Sequence, residues 1–279
     1  MTTGVFLAVL LAAFLHAGWN AVVKGGADKL AGMAGMSIGH ALPGAIAVVI
    51  LPLPAPEAWP WIALSVALHF GYQVFLLNAY RLGDLSHVYP LARGSAPLIV
   101  TLVSVAALGA TLSGMEVVAV VVIAAGILSI GLARAGAAEP GAVVAALTTG
   151  GFIAAYSLAD GLGARASGSA VAYFGWIALL GAVPFAVYTE MRRPGLVRRL
   201  PRVAPAAFWG GGWASFAAYA IVVWAFTQAP LALVTALRET SIVFAVLIGA
   251  VVLREPVDAW RIGSTFVTLC GVALMRLAR

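Results

Sequence analysis

The chain has 279 residues, of which 63% are hydrophobic and 9% are charged, and its mean hydropathy is +1.04. A soluble domain carries about 25% charged residues, so this composition excludes a surface solvated by water. The net charge of +6 comes mainly from one loop with five arginines, which is typical of contact with anionic lipid headgroups rather than nucleic acid. The single cysteine excludes disulfides and cysteine-rich metal sites.

Ten apolar segments, each near the length of about 20 residues that a spanning helix needs, follow one another along the chain. They lie near 4–23, 31–51, 59–80, 85–108, 115–133, 142–163, 170–188, 204–227, 231–253 and 259–277. The polar–apolar alternation of a membrane β-barrel is absent from the sequence. We therefore predict an all-α integral membrane protein with ten transmembrane helices in a single membrane domain, 1–279, that crosses the inner or plasma membrane of a cell several times.

The second five segments loosely repeat the first five. With an offset of 146 residues, matching positions include Leu85 with Leu231, Leu91 with Leu237 and Ser95 with Ser241. One residue of slippage then aligns Gly126 with Gly271. Because each unit has an odd number of helices, the second unit must cross the membrane in the opposite sense. We predict two inverted five-helix repeats, 1–135 and 140–279, with a shared site near the bilayer midplane.

Few ionisable residues fall inside the apolar segments, where a charge at the bilayer centre costs about 2.5–3.5 kcal/mol. Arg93 lies in the fourth segment, and Arg238 and Glu239 lie in the ninth, at nearly equivalent places in the two repeats. In an inverted arrangement these side chains would converge. One interpretation is a site in which the arginines bind a carboxylate or phosphate of a substrate. The other is a structural ion pair between Glu239 and Arg93.

Two intramembrane carboxylates are candidates for proton coupling or gating. Glu239 lies deep in its segment, whereas Asp160 lies toward the end of the sixth segment, where it could instead cap a helix or pair at the interface. A carboxylate shielded from water can exchange protons near neutral pH. We assign proton coupling or gating to Glu239 and Asp160 as a hypothesis.

Polar side chains at helical spacing predict that two of the apolar helices each have one face in contact with water. His16, Asn20 and Lys24 stack at steps of four in the first segment, and His69 precedes a similar polar group in the third. Such stripes normally face a wet interior, although a neutral interhelical hydrogen bond is the alternative for each histidine. The predicted substrate-binding residues, beside Arg93 and Arg238, are His16, Trp19, Asn20, Tyr72, Gln73, Tyr89 and Tyr156.

The chain resembles EamA-type members of the drug/metabolite transporter superfamily. The resemblance rests on HAGWNAVVK at 16–24, YPLARG at 89–94 with APL at 96–98, DGLG at 160–163 and ALRETS at 236–241. It covers essentially the whole chain and implies ten helices in two inverted repeats, alternating access and movement of small metabolites. It implies no particular cargo. The turn at 253–256 matches the family pattern, whereas the equivalent stretch at 108–113 lacks the usual glutamate.

The motifs that are missing narrow the function. The sequence contains no zinc-protease motif, no nucleophile turn and no ATP-binding motif. We expect a protein that is not an enzyme: a secondary transporter, and an exporter, of small polar or amphipathic metabolites by alternating access with proton coupling. Its partners would be a small-molecule substrate and the lipid bilayer, with no nucleic acid and no cofactor or metal, in a monomer or homodimer. A flippase for lipid or lipid-linked substrates and an intramembrane enzyme remain alternatives.

The orientation of the chain is open. Outside the membrane, eleven basic residues, including those of the arginine-rich loop, would share one face, against three on the other face. The positive-inside rule then places both termini outside the cytoplasm, whereas the family resemblance implies that they are inside.

Overall fold

The computed structural model describes residues 1–26, 28–82, 85–132, 140–251 and 258–278, without the side chains of 24, 25, 80, 81, 85–88 and 132. Within these ranges the chain is helical and has no strand, and nine helical segments are long and apolar enough to cross a membrane. These findings confirm an all-α fold of the multi-pass membrane type. The Lys24 side chain and the turn at 253–256, both used in the family resemblance, lie outside the described residues.

The helices follow the predicted segments closely. The first half contains α1 (Thr3–Gly25), α2 (Lys29–Gly39), α3 (Ala41–Ile50), α4 (Trp59–Leu82), α5 (Leu85–Ala106) and α6 (Gly114–Leu132). The second half contains α7 (Pro140–Ala166), α8 (Ala170–Arg192), α9 (Leu196–Val203), α10 (Gly212–Gln228), α11 (Leu231–Arg238), α12 (Ser241–Val251) and α13 (Ala259–Leu277). A 3₁₀ turn, Pro56–Ala58, precedes α4, and a π-helical turn, Ala206–Gly211, precedes α10.

Two of the membrane-length segments are broken helices. The helices α2 and α3 together form the segment Lys29–Ile50, and α11 and α12 form Leu231–Val251. The tenth predicted crossing, α13, is helical over 19 residues but is not among the nine apolar segments found in the described ranges. Its two arginines, Arg261 and Arg276, make it more polar, so its crossing remains a prediction.

The ends of the helices define two faces of the bundle. The arginine-rich face carries α9, whose Leu196 and Leu200 are buried while its arginines are exposed. On the same face, an ion pair between Arg193 and Asp28 joins the end of α8 to the start of α2. On the opposite face, the Arg165 guanidinium donates hydrogen bonds to carbonyl oxygens at the end of α10, at 2.9 and 3.0 Å.

The centre of the bundle is enclosed by helices from both halves. α4 and α5 pack on α7, and α1 packs on α10 and α12. The short helix α11 contacts α1, α5 and α7 and is buried along its whole length. Side chains on the inner faces of these helices are therefore shielded from lipid by protein.

Reciprocal glycines let α6 and α13 pack backbone to backbone. A Cβ on Gly126 would lie 2.8 Å from the Thr268 amide nitrogen, and a Cβ on Gly271 would lie 2.8 Å from the Ile123 amide nitrogen. In lipid the hydrophobic effect does not drive helices together, so small residues favour helix association by letting the backbones approach closely.

A pair of alanine substitutions on α13 tests this packing. We expect Gly271→Ala to destabilise the protein by about 1–3 kcal/mol, because the added methyl group must push the α6 backbone away. Gly263→Ala is the control, since a Cβ there would have no neighbour within 4 Å. Thermal unfolding in detergent measures both variants, and equal transition temperatures would contradict the close contact.

Candidate functional site

The break between α11 and α12 places two charged residues in the middle of the bundle. Thr240 N donates to Leu237 O at 3.1 Å and Ile242 N donates to Glu239 O at 3.1 Å, so the chain turns through i to i−3 hydrogen bonds here. The Thr240 hydroxyl also donates to Leu237 O, at 2.6 Å. Irregular backbone at membrane depth is tolerated only where protein or a cavity surrounds it.

Arg93, Arg238 and Glu239 form what we call the arginine–glutamate cluster. Arg238 donates to Glu239 Oε1 from Nη2 at 3.0 Å and from Nε at 3.2 Å. Arg93 Nε forms an ion pair with the other oxygen, Oε2, without the alignment of a hydrogen bond. The three residues expose 1%, 2% and 0% of their surface, respectively. One carboxylate is therefore shared by two guanidiniums in a site without bulk water.

Hydroxyl and aromatic groups complete the surroundings of the two guanidiniums. Arg93 Nη2 donates to Ser241 Oγ at 3.1 Å, and the Arg93 Cζ lies 5.6 Å from the centre of the Tyr89 ring. The Arg238 Cζ lies 5.8 Å from the rings of both Tyr156 and Tyr219. Cation–π contacts of this kind strengthen when the partners are desolvated.

Asp160 is the centre of a second polar site. Its Oδ2 accepts from the Tyr219 hydroxyl at 2.6 Å and lies 3.0 Å from His69 Nε2, while Oδ1 accepts from the hydroxyls of Ser65 and, at 3.5 Å, Tyr173. Asp160 itself is fully buried, so it does not cap a helix at the interface. We call Asp160 and His69 the Asp160–His69 pair.

Two tyrosines join the Asp160–His69 pair to the arginine–glutamate cluster. Tyr156 stacks on the His69 ring at a centroid distance of 4.1 Å and also faces Arg238. Tyr219 bonds to Asp160 and faces the same guanidinium. With His69 neutral, the two sites together hold two guanidiniums and two carboxylates. A proton or a charged ligand entering either site therefore changes a balanced set of buried charges.

The predicted substrate-binding residues fall at different distances from the cluster. His16 Nε2 lies 3.4 Å from the Tyr89 hydroxyl, and the Tyr72 ring packs edge-on against Tyr156 at 5.5 Å. Trp19 packs against His16 at 4.9 Å. Tyr89 and Tyr156 therefore contact the guanidiniums directly. His16 and Tyr72 contact these two tyrosines, and Trp19 contacts His16.

Two predicted residues lie apart from the cluster. Asn20 donates to the His16 carbonyl of its own helix at 2.7 Å, so it has a local partner. Gln73 lines a separate small cavity next to His69.

Three residues of the Asp160 site were assigned no role by the sequence analysis: Ser65, Tyr173 and Tyr219. Ser65 lies one helical turn before His69 on α4, which is a signal of a shared face. The 146-residue offset aligns Tyr219 with Gln73, a position already singled out in the first repeat. Tyr173 carries no comparable signal. No group of three or more potential metal ligands occurs in the described part of the chain.

Comparisons with known proteins bear on the fold alone. No family model and no curated protein sequence matches this chain. Among solved structures 28 chains match, and one of these, described only as "Crystal structure of protein", superposes with a TM-score of 0.80. It is 19% identical and the alignment covers 100% of both chains. The whole fold is therefore similar to an experimentally solved one.

The shared carboxylate predicts an order of stability among variants of the cluster. We expect Glu239→Gln to destabilise the protein by about 3–5 kcal/mol, because it leaves two buried guanidiniums without a counter-charge. Arg93→Met should cost less, since Glu239 retains its two hydrogen bonds from Arg238. Thermal unfolding in detergent, with the exposed Arg199→Met as control, measures the order. A larger loss for Arg93→Met would contradict the sharing of one carboxylate.

Proposed function

We propose that the protein is a secondary transporter of small polar or amphipathic metabolites, of EamA type, that exports its cargo across the cell membrane by alternating access. The observation that carries this proposal is the arginine–glutamate cluster, which lies fully buried at a broken helix. Charged residues inside a membrane bundle mark substrate or ion pathways, and transporters form such sites from discontinuous helices.

Three features support two inverted five-helix repeats around this site. Arg93 and Glu239, which are in contact, are 146 residues apart, the offset of the sequence repeat. Gly126 and Gly271, aligned in that repeat, contact each other's helices reciprocally. The packing of α4 and α5 on α7 has a counterpart in the packing of α10 and α12 on α1.

The geometry gives a reason for coupling cargo to protons. A cargo carboxylate or phosphate would compete with Glu239 for the Arg238 guanidinium, which binds such groups through a planar fork. A proton on Glu239 removes its negative charge and leaves both guanidiniums to the cargo. One proton on Glu239 and one anionic group on the cargo together preserve the net charge of the cluster. Anion and proton would therefore enter the site as a pair.

The cargo itself is identified by comparing metabolites inside and outside cells that express the protein. We expect wild-type cells to enrich one or more anionic metabolites in the medium, and Arg238→Met to abolish that enrichment. This variant removes one anion-binding fork but retains the ion pair between Arg93 and Glu239. Untargeted mass spectrometry of medium and cell extract measures both pools.

Arg199→Met, on the exposed side of α9, is the matched control and should export as the wild type does. Enrichment inside the cells would make the protein an importer. Equal pools for wild type and Arg238→Met, with both proteins folded, would contradict the role of Arg238. In that case purified protein should be tested for lipid movement.

A further inference from the structure

A small polar cavity lies between α2, α4 and α8, next to the Asp160–His69 pair. Its volume is about 30 Å³, and its lining includes Ser37, His40, His69, Gln73 and Gly181. That volume has room for water but not for a metabolite.

Three polar atoms at this cavity are buried without a partner. Ser37 Oγ, His40 Nε2 and Gln73 Oε1 make no hydrogen bond to any described residue. Leaving a buried polar atom unpaired costs about 1–3 kcal/mol, so three at one cavity require an explanation. Water with two to four polar neighbours satisfies groups of this kind in other proteins. The lining is therefore that of a hydrated site.

A second cavity lies in the same groove between α4 and α8, closer to the arginine-rich face. Its volume is about 140 Å³, and its lining includes Leu77, Asn78, Tyr188 and Arg192. Asn78 and Arg192 are exposed, and both lie near the ends of their helices on the arginine-rich face. This outer cavity therefore faces that side of the membrane.

An aromatic contact lies between the two cavities. Gln73 of the inner cavity and Leu77 of the outer one are a single turn apart on α4. Phe70 lines the inner cavity, Tyr188 lines the outer one, and their rings meet edge to face at 6.2 Å. Both rings are half-buried, and a continuous path for water between the cavities requires one of them to move.

We propose that the groove between α4 and α8 is a hydrated half-channel that carries protons from the arginine-rich face to the Asp160–His69 pair. A hydronium ion in the inner cavity gives a proton to His69 Nδ1, and the proton on Nε2 passes to Asp160 Oδ2, 3.0 Å away. The imidazole is neutral before and after, in the other tautomer. The net change is one hydronium converted to water and one carboxylate converted to a carboxylic acid.

The groups facing the pair determine when this transfer is favourable. They are His40 from the α2–α3 break, Tyr156 from α7, Tyr173 from α8, Tyr219 from α10 and, across the two tyrosines, Arg238 from α11. Protonation of Asp160 leaves one net positive charge on the two sites together, and this positive charge favours an anionic cargo at the cluster.

This inference rests on the proposed transport function for its purpose, but its test needs no cargo. The chain has four histidines, so protein labelled with [¹⁵N]histidine in liposomes gives few ring signals. Solid-state NMR measures the transfer of magnetisation from water to each ring. We expect rapid transfer to His40 and His69 in the wild type. The His16 signals report whether each variant keeps its fold.

Matched glycine substitutions test the route. A Cβ on Gly181 or on Gly151 would have no neighbour within 4 Å, but only Gly181 lines the inner cavity. Gly181→Val should therefore slow the transfer to His69 at least about fivefold by displacing water, and Gly151→Val should leave it unchanged. Gln73→Leu, which removes a polar partner, should also slow it. Asn78→Trp, which fills the outer cavity, tests entry from the arginine-rich face and should slow it as well.

Each opposite result overturns the proposal. Absence of transfer to His40 and His69 in the wild type would make the cavity dry. Unchanged transfer in both Gly181→Val and Gln73→Leu would exclude the inner cavity as the route, and unchanged transfer in Asn78→Trp would exclude entry from the arginine-rich face. Metabolite export together with a cavity that contains no water would support the transport function and contradict the half-channel. A hydrated cavity without metabolite export would support the half-channel and contradict the transport function.

Discussion

The ion pairing of Glu239 with both Arg93 and Arg238 is the constraint on which the rest of the structure depends. The three charges come from α5 and from the break between α11 and α12, and they are buried where water cannot solvate them. Any change that opens the site must give each guanidinium a new partner at the same time. Replacing buried ion pairs by apolar side chains is often neutral or stabilising, so stability alone is a weak reason to keep this cluster. A site that exchanges partners with an anion is a better reason.

Aromatic side chains, rather than a direct contact, join the two polar sites. Tyr156 and Tyr219 each face Arg238, and each also contacts the Asp160–His69 pair. A proton bound at Asp160 would remove negative charge near Arg238, and an anion bound at Arg238 would add negative charge near Asp160. Binding energies coupled in this way are reciprocal, so each ligand favours the other. The fold thus places the Asp160–His69 pair and the arginine–glutamate cluster within the reach of two tyrosine rings.

The sequence predicts the membrane-length helices well because hydropathy reports directly which stretches face lipid, and every helix from α1 to α12 except α9 falls on one of nine predicted segments. The short helix α9 lies between two segments, in the stretch expected to be an arginine-rich loop. The repeat offset also leads to the meeting of Arg93 and Glu239. It does not predict that the Asp160 site joins Ser65, His69, Tyr173 and Tyr219, which come from three other helices. Such a site depends on the rotation of each helix about its axis, which is set by packing and not by hydropathy. The helix break at His40 follows Gly39 and precedes Pro43, which has no amide hydrogen to bond the Gly39 carbonyl, so a local signal of this break is present in the sequence.

In alternating access the buried cluster opens to the two faces in turn, and electron–electron distance measurements between spin labels test this most directly. With Cys270 replaced by alanine, labels at Leu82 and Met191 report on the arginine-rich face, and labels at Leu53 and Gln228 report on the opposite face. All four positions are exposed. Alternating access predicts two distances for each pair in liposomes, with one pair lengthening as the other shortens when the pH is changed. A single, pH-independent distance for both pairs would contradict alternating access around the cluster.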